Sequence, residues 1–184
     1  MASRAEWLAA GRATLVGDGA PGVRIDKLAA RLGATKGSFY HHFGSARGFK
    51  LALLDDVEDR HTRSKVDAVE AEDLPPRRRL ERLVELVLPP GDGGRDAARL
   101  EVALRAWAHQ DADVHAYQAR IDAARCDYLG RVWAELDPNA DPQAAGWLIY
   151  GVLVGGRHLV PSLDDADVRR AYRLLLDLAP GGEH

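Results

Sequence analysis

The sequence predicts an all-α protein: an N-terminal three-helix head built around a helix-turn-helix, followed by a larger C-terminal helical body. Three observations predict it. The segment Ile25 to Phe49, IDKLAARLGATKGSFYHHFGSARGF, sets two short helical stretches on either side of a glycine turn. Every other long stretch repeats apolar residues at three- and four-residue spacing. No stretch shows the two-residue alternation of a half-buried strand, and the chain has no internal repeat.

The first helix opens on a capping-box pattern, Ser3 with Glu6, and its apolar side (Trp7, Leu8, Ala13, Leu15, Val16) ends near Gly17 and Gly19. The second carries Ile25, Leu28, Ala29 and Leu32 and stops at Gly33, where a left-handed conformation costs glycine nothing. Thr35 then caps the third helix. At ~100° per residue, Phe39 and Phe43 share its buried face, while Gly37 and His41 point the opposite way with Ser38 and Tyr40 flanking. The exposed side therefore presents hydrogen-bond donors suited to phosphates and base edges, and Gly37 lets the helix backbone approach a groove.

A connecting helix runs from about residue 45 to 73, until Leu74, Pro75 and Pro76 break it. A further helix bears Leu80, Leu83, Val84, Val87 and Leu88, and a Pro/Gly loop follows from Pro89 to Gly94. Leu100, Ala103, Leu104 and Trp107 form the next stripe. Tyr117, Ile121, Ala124 and Tyr128 form another, on a longer helix to about Leu136. Asp141 and Pro142 open a helix through His158, and the last helix bears Val168, Tyr172, Leu175 and Ala179. The domain division expected from this pattern is a head of residues 1–48 and a body of residues 74–184, joined by the connecting helix.

Net charge over the 184 residues is −3, yet residues 1–50 hold eight Lys/Arg against three acids, a local +5 that leaves −8 for the remainder. A basic head on an acidic body is the asymmetry expected when only the head meets a polyanion. Motifs of catalysis are missing: no phosphate-cradling glycine loop after a strand, no Gly-x-Ser-x-Gly elbow, no His-Glu-x-x-His pair. The reading is therefore a non-enzyme with no cofactor and no metal. His41 and His42 diverge by about 100° on their helix and cannot clamp one ion together. His109 and His115 near Asp111 and Asp113 fit no metal spacing, and the reading is a solvated loop. The lone Cys126 excludes an internal disulfide framework. No apolar run reaches the ~20 residues of a membrane span, and a signal-peptide pattern is missing, so a cytoplasmic protein without membrane contact is expected.

The string LGATKGSFYHHFGS, preceded by an amphipathic helix opening with Trp7 and Leu8, resembles the TetR family of bacterial transcriptional regulators, over roughly the first third of the chain. The resemblance implies an all-helical DNA-binding head and a C-terminal domain for effector binding and dimerisation. By position it implies DNA contact from Thr35, Lys36, Gly37, Ser38, Tyr40, His41 and His42, with Tyr40 on phosphate and Lys36 and His41 on bases. Two positions depart from the family's pattern. Arg24 stands where a Thr or Ser usually opens the second helix, losing the cap but keeping a charge for phosphate. Ala46 stands where a Lys is usual, so Arg47 or Lys50 is assigned that contact.

In the last two helices, Trp147, Tyr150, Gly151, Val154 and His158 alternate large and small groups, and Gly151, Gly155 and Gly156 permit close approach. With Leu174, Leu175 and Leu178 they fit either internal packing or a four-helix dimer interface, and the resemblance favours the dimer. A homodimer places two recognition helices ~34 Å apart on a palindromic double-stranded operator. Trp107, Tyr117, Ile121, Tyr128 and Trp133, with Cys126 among them, concentrate aromatic surface in the central helices. They fit a core or the wall of a cavity for an unidentified small-molecule effector. The function the resemblance implies is a repressor released from its operator by that ligand. The alternative is a DNA-binding regulator without an effector, acting constitutively or through a protein partner.

Overall fold

The computed structural model describes residues 2–89 and 94–179, and among these there is no strand. The helices are α1 (Arg4–Asp18), α2 (Ile25–Leu32), α3 (Lys36–Phe43), α4 (Ala46–Glu58), α5 (Ser64–Glu70), α6 (Pro76–Val87), α7 (Arg95–Ala108), α8 (Ala112–Leu136), α9 (Pro142–His158) and α10 (Asp165–Asp177). A single wide turn of π type, Asp59–Arg63, joins α4 to α5. The Pro/Gly loop expected between Pro89 and Gly94 lies, from residue 90 to 93, outside the described residues. Among the described residues no helix is long and apolar enough to cross a membrane.

Local chemistry sets the helix ends. The Ser3–Glu6 capping box forms in full at α1, and Asp141 accepts from the backbone N–H groups of Gln143 and Ala144 at the start of α9. Asp164 caps α10 through the N–H of Asp167.

The chain packs as two compact units. One comprises Met1–Arg60 with Arg99–Gln118; the other comprises His61–Ala98 with Ala119–His184. This differs from a contiguous head and body, because residues 99–118 pack with the head. The reason is apolar complementarity: Leu100, Leu104 and Val114 form one buried cluster with Leu15, Leu54 and Val57. A second cluster in this unit joins Trp7, Leu8, Leu28, Phe39, Phe49 and Leu53.

The other unit is organised around Leu80, Leu88, Leu129, Val132, Trp133, Ile149, Leu153, Val168 and Leu176. Here α8 and α9 cross with backbones in contact: a Cβ at Gly146 would lie 2.2 Å from the Cys126 carbonyl oxygen, and one at Gly130 2.1 Å from that of Pro142. Only glycine fits either position.

Candidate nucleic-acid interface

The turn before α3 is built as its residues dictate. Gly33 adopts φ 58°, ψ 30°, and its N–H closes α2 on the carbonyls of Ala29 and Ala30. Thr35 Oγ1 accepts from the Ser38 N–H at 3.2 Å. The orientation of α3 is then set by Phe39, which is wholly buried among the rings of Trp7, Phe43 and Phe49, each with its centroid 5.2 Å away. With that face anchored, Thr35, Lys36, Gly37, Tyr40 and His41 are turned outward. Tyr40 is half exposed and leans edge-on against Phe39 at 5.5 Å. Lys36 has no ion-pair partner among the described residues. A Cβ added at Gly37 would meet only Thr35 Oγ1, at 3.7 Å, so packing within the protein does not require glycine there.

Other expected contact residues are placed differently. Ser38 is 6% exposed, and its hydroxyl has no hydrogen-bond partner among the described residues. Its side chain does not reach the surface. His42 is half-buried, with Nε2 3.0 Å from the carbonyl oxygen of Ala2. Arg24 occupies the cap position of α2 without capping it, and instead reaches Asp26 through two hydrogen bonds of 3.2 and 3.1 Å.

Arg47 and Lys50, one turn into α4, are taken by acids from the corner between α7 and α8. Arg47 donates to both carboxylate oxygens of Asp113, at 3.0 and 2.8 Å. The Lys50 ammonium sits 2.7 Å from Asp111 and 2.8 Å from Asp113. Asp111 is fixed in turn by accepting from the backbone N–H groups of Asp113 and Val114. The loop read as merely solvated is therefore an ion cluster. Its legible signal was Asp111 at a helix cap with Asp113 in the first turn; the partners, more than sixty residues away, left none.

The hydrogen bonds from Arg47 and then Lys50 hold the Asp113 carboxyl well below the usual carboxylate range. Lys50 lowers Asp111 in the same way. Burial works against the Lys50 ammonium, but the two acids outweigh it and its pKa is raised. With depressed carboxyl pKa values, the cluster stays ionised throughout the ordinary carboxylate range and is lost only as pH falls below it. Over the whole packed unit there are eleven Lys/Arg against ten Asp/Glu, so the +5 of residues 1–50 shrinks to +1, chiefly through Asp55, Asp56, Glu58 and Asp59.

Residues 8–53 match the sequence profile of bacterial regulatory proteins, tetR family. The chain carries a TetR-family head. Similar solved structures extend the likeness in fold along the chain. A TetR-family transcriptional regulator from Rhodococcus sp. superposes with a TM-score of 0.81 at 22% identity, covering 95% of this chain and 97% of that one. A transcriptional regulator from Saccharomonospora viridis in complex with choline gives 0.81 at 17% identity, covering 95% of each chain. The reduced form of E. coli NemR gives 0.79 at 19% identity, covering 98% and 99%. No curated protein matches the chain by sequence. The all-helical fold is the one these three structures share.

The aromatic residues expected at a ligand site are divided between the two units. Trp107 lies in the unit of the DNA-binding head, beside a cavity of about 280 Å³ also lined by Val23, Ile25, Leu28, Phe39 and Phe49. Tyr117 packs on the Leu15–Leu54 cluster of the same unit. Ile121, Tyr128 and Trp133 are buried in the other unit, Tyr128 and Trp133 within its main core. The Tyr128 hydroxyl donates to Glu70 at 2.7 Å, and burial followed by that carboxylate pushes its pKa up. Nearby in the same unit, Arg125 donates to Thr62 Oγ1 and to the Tyr150 hydroxyl, which donates to Asp122 at 2.8 Å.

The expected dimer stripe also divides. Trp147, Gly151, His158, Leu174 and Leu178 face outward, with Val154 half-buried. Trp147 is 59% exposed and Leu178 75%. Tyr150 and Leu175 are buried in their own unit's core. Tyr150 sits about 60° around α9 from Trp147, toward the core side that carries Gly146, Ile149 and Leu153, and Leu175 lies about 100° around α10 from Leu174. Leu148, 57% exposed, takes the outward place the sequence reading gave to Tyr150.

Proposed function

We propose that the protein is a homodimeric repressor that binds a palindromic operator and leaves it when a small molecule binds the second unit. The observation that carries the DNA-reading part is the outward face of α3: Lys36, Gly37, Tyr40 and His41 stand free of the core on a helix whose opposite side is locked by Phe39. A glycine that costs about 1 kcal/mol of helix propensity, at a position where packing leaves room for a side chain, fits a backbone that must approach another molecule closely. Release by a ligand is supported by the choline bound to a protein of this fold. By linkage, a ligand weakens DNA binding only as far as it prefers the conformation with wrongly placed heads.

The residue roles separate in binding to an operator recovered by in vitro selection. His41→Ala should lose about 1–3 kcal/mol of discrimination at one or two base positions while unrelated duplex binds as before. Tyr40→Phe should weaken selected and unrelated duplexes by the same factor, because a phosphate contact carries no sequence information. An equal loss of selectivity in both variants would remove this division of labour. For the ligand, addition of candidate small molecules should raise the melting temperature of the protein and lower its operator affinity together; stabilisation without release would favour a regulator that acts without an effector.

A further inference from the structure

We propose that Asp113, with Asp111 beside it, stands in for DNA phosphate: the corner between α7 and α8 occupies the head's own phosphate-binding cations, and the operator must displace Asp113 from Arg47. This rests on the DNA-binding reading above.

Four features of the cluster carry it. Arg47 is held in the fork geometry that a guanidinium offers a phosphate, two parallel N–H donors on two oxygens of Asp113. The pair is open to solvent on the arginine side, which is 69% exposed, so a competing anion can reach it. Lys50 is more enclosed and shared between both acids, so it holds the corner in place when Arg47 is withdrawn. Asp111 is locked as the cap of α8, so the corner is a built feature of the backbone rather than a chance surface pair. Together with the other acids of residues 51–60 and 99–118 the corner reduces the charge of the unit to +1, and DNA affinity becomes a contest between two anions for one arginine. The functional consequence is a lowered affinity for non-specific duplex, where Arg47 stays with Asp113. Only an operator that fixes the head in register recruits it.

The test compares the purified full chain with Asp113→Asn on the selected operator and on unrelated duplex, by fluorescence anisotropy across a salt series. Asp113→Asn is expected to tighten binding about two- to fivefold, the range of an exposed ion pair. On the unrelated duplex it should also steepen the dependence of log K on log salt by about 0.9, one added phosphate contact, while the slope on the operator, where Arg47 is already recruited, stays unchanged. Asp18→Asn removes the same charge from an exposed position that makes no ion pair with Arg47 and should leave the slope unchanged. In an Arg47→Ala background the extra gain of Asp113→Asn over Asp18→Asn should largely vanish. Equal affinities and slopes for Asp113→Asn and Asp18→Asn would overturn the proposal. So would weaker binding by a normally melting Asp113→Asn, which would make the contact a brace for α4 rather than a competitor. A wild-type chain without affinity for any duplex would instead overturn the DNA-binding reading, and this proposal with it.

Discussion

Phe39→Ala is expected to destabilise the head by about 3–5 kcal/mol, the range for removing a buried phenylalanine, and to abolish selective DNA binding with it. The side chain is fully enclosed and meets four aromatic rings, so truncation removes both its transfer free energy and its edge and tilted contacts with Trp7, Tyr40, Phe43 and Phe49. The site cannot collapse readily, because a cavity of about 280 Å³ already adjoins Phe39 and the truncation would enlarge it. Since Phe39 alone among the α3 residues is wholly buried, its loss also frees the helix to rotate about its axis. Hydrogen exchange checks this directly: amides of α1 to α4 should lose protection while those of α9 and α10, in the other unit, keep theirs. A loss below about 1 kcal/mol would mean that the orientation of α3 is set elsewhere.

The double variant Trp147→Glu with Leu178→Glu should convert the protein to a monomer and lower operator affinity about 10²- to 10⁴-fold, the loss that follows when two linked half-site contacts become independent. Trp147, Leu148 and Leu174 on α9 and α10, and Leu178 at the C-cap of α10, are large apolar side chains, each more than half exposed in the single chain. Side chains of this size left in water mark a contact face when they cluster on packed neighbouring helices. Glutamate at two of these positions places like charges opposite one another across a two-fold axis. Neither residue belongs to the core of its unit, so the melting of the monomer should not show a core defect. Sedimentation velocity gives the oligomeric state and anisotropy the affinity. A dimer that survives both substitutions would move the interface to another face.

What was legible in the sequence was local. Gly33, Thr35, the Ser3–Glu6 box and Asp141 act through groups within four residues, and each does in the structure what its spacing predicts. The division of α3 into a phenylalanine side and a Gly37–His41 side is likewise a matter of helix period. Arg47 and Lys50 could not be placed in the same way, because what pairs them comes from another part of the chain. For Arg47 and Lys50 the partners are 61 to 66 residues along the chain. Tyr150 and Leu175 show the resolution of a helical stripe: a difference of 60° to 100° around the axis separates an outward residue from a core residue, and apolar spacing alone does not set where that edge falls. The aromatic set is divided between the two units for a related reason. Trp107 and Trp133 follow the same period on adjacent segments, yet 99–118 packs with the head while Trp133 is buried in the core of the second unit. Periodicity names the buried side of a helix but not the neighbour it is buried against.

The central claim is that the outward face of α3 reads DNA. The measurement that tests it most directly is a mobility shift of the purified protein on the intergenic DNA beside its own gene, across a salt series, with unrelated duplex as competitor. The account predicts selective binding that weakens steeply and log-linearly with salt, and that loses its selectivity in His41→Ala. A folded protein that shows no preference for any sequence at low salt, or whose selectivity is untouched by substitutions at Lys36, Tyr40 and His41 together, would contradict it.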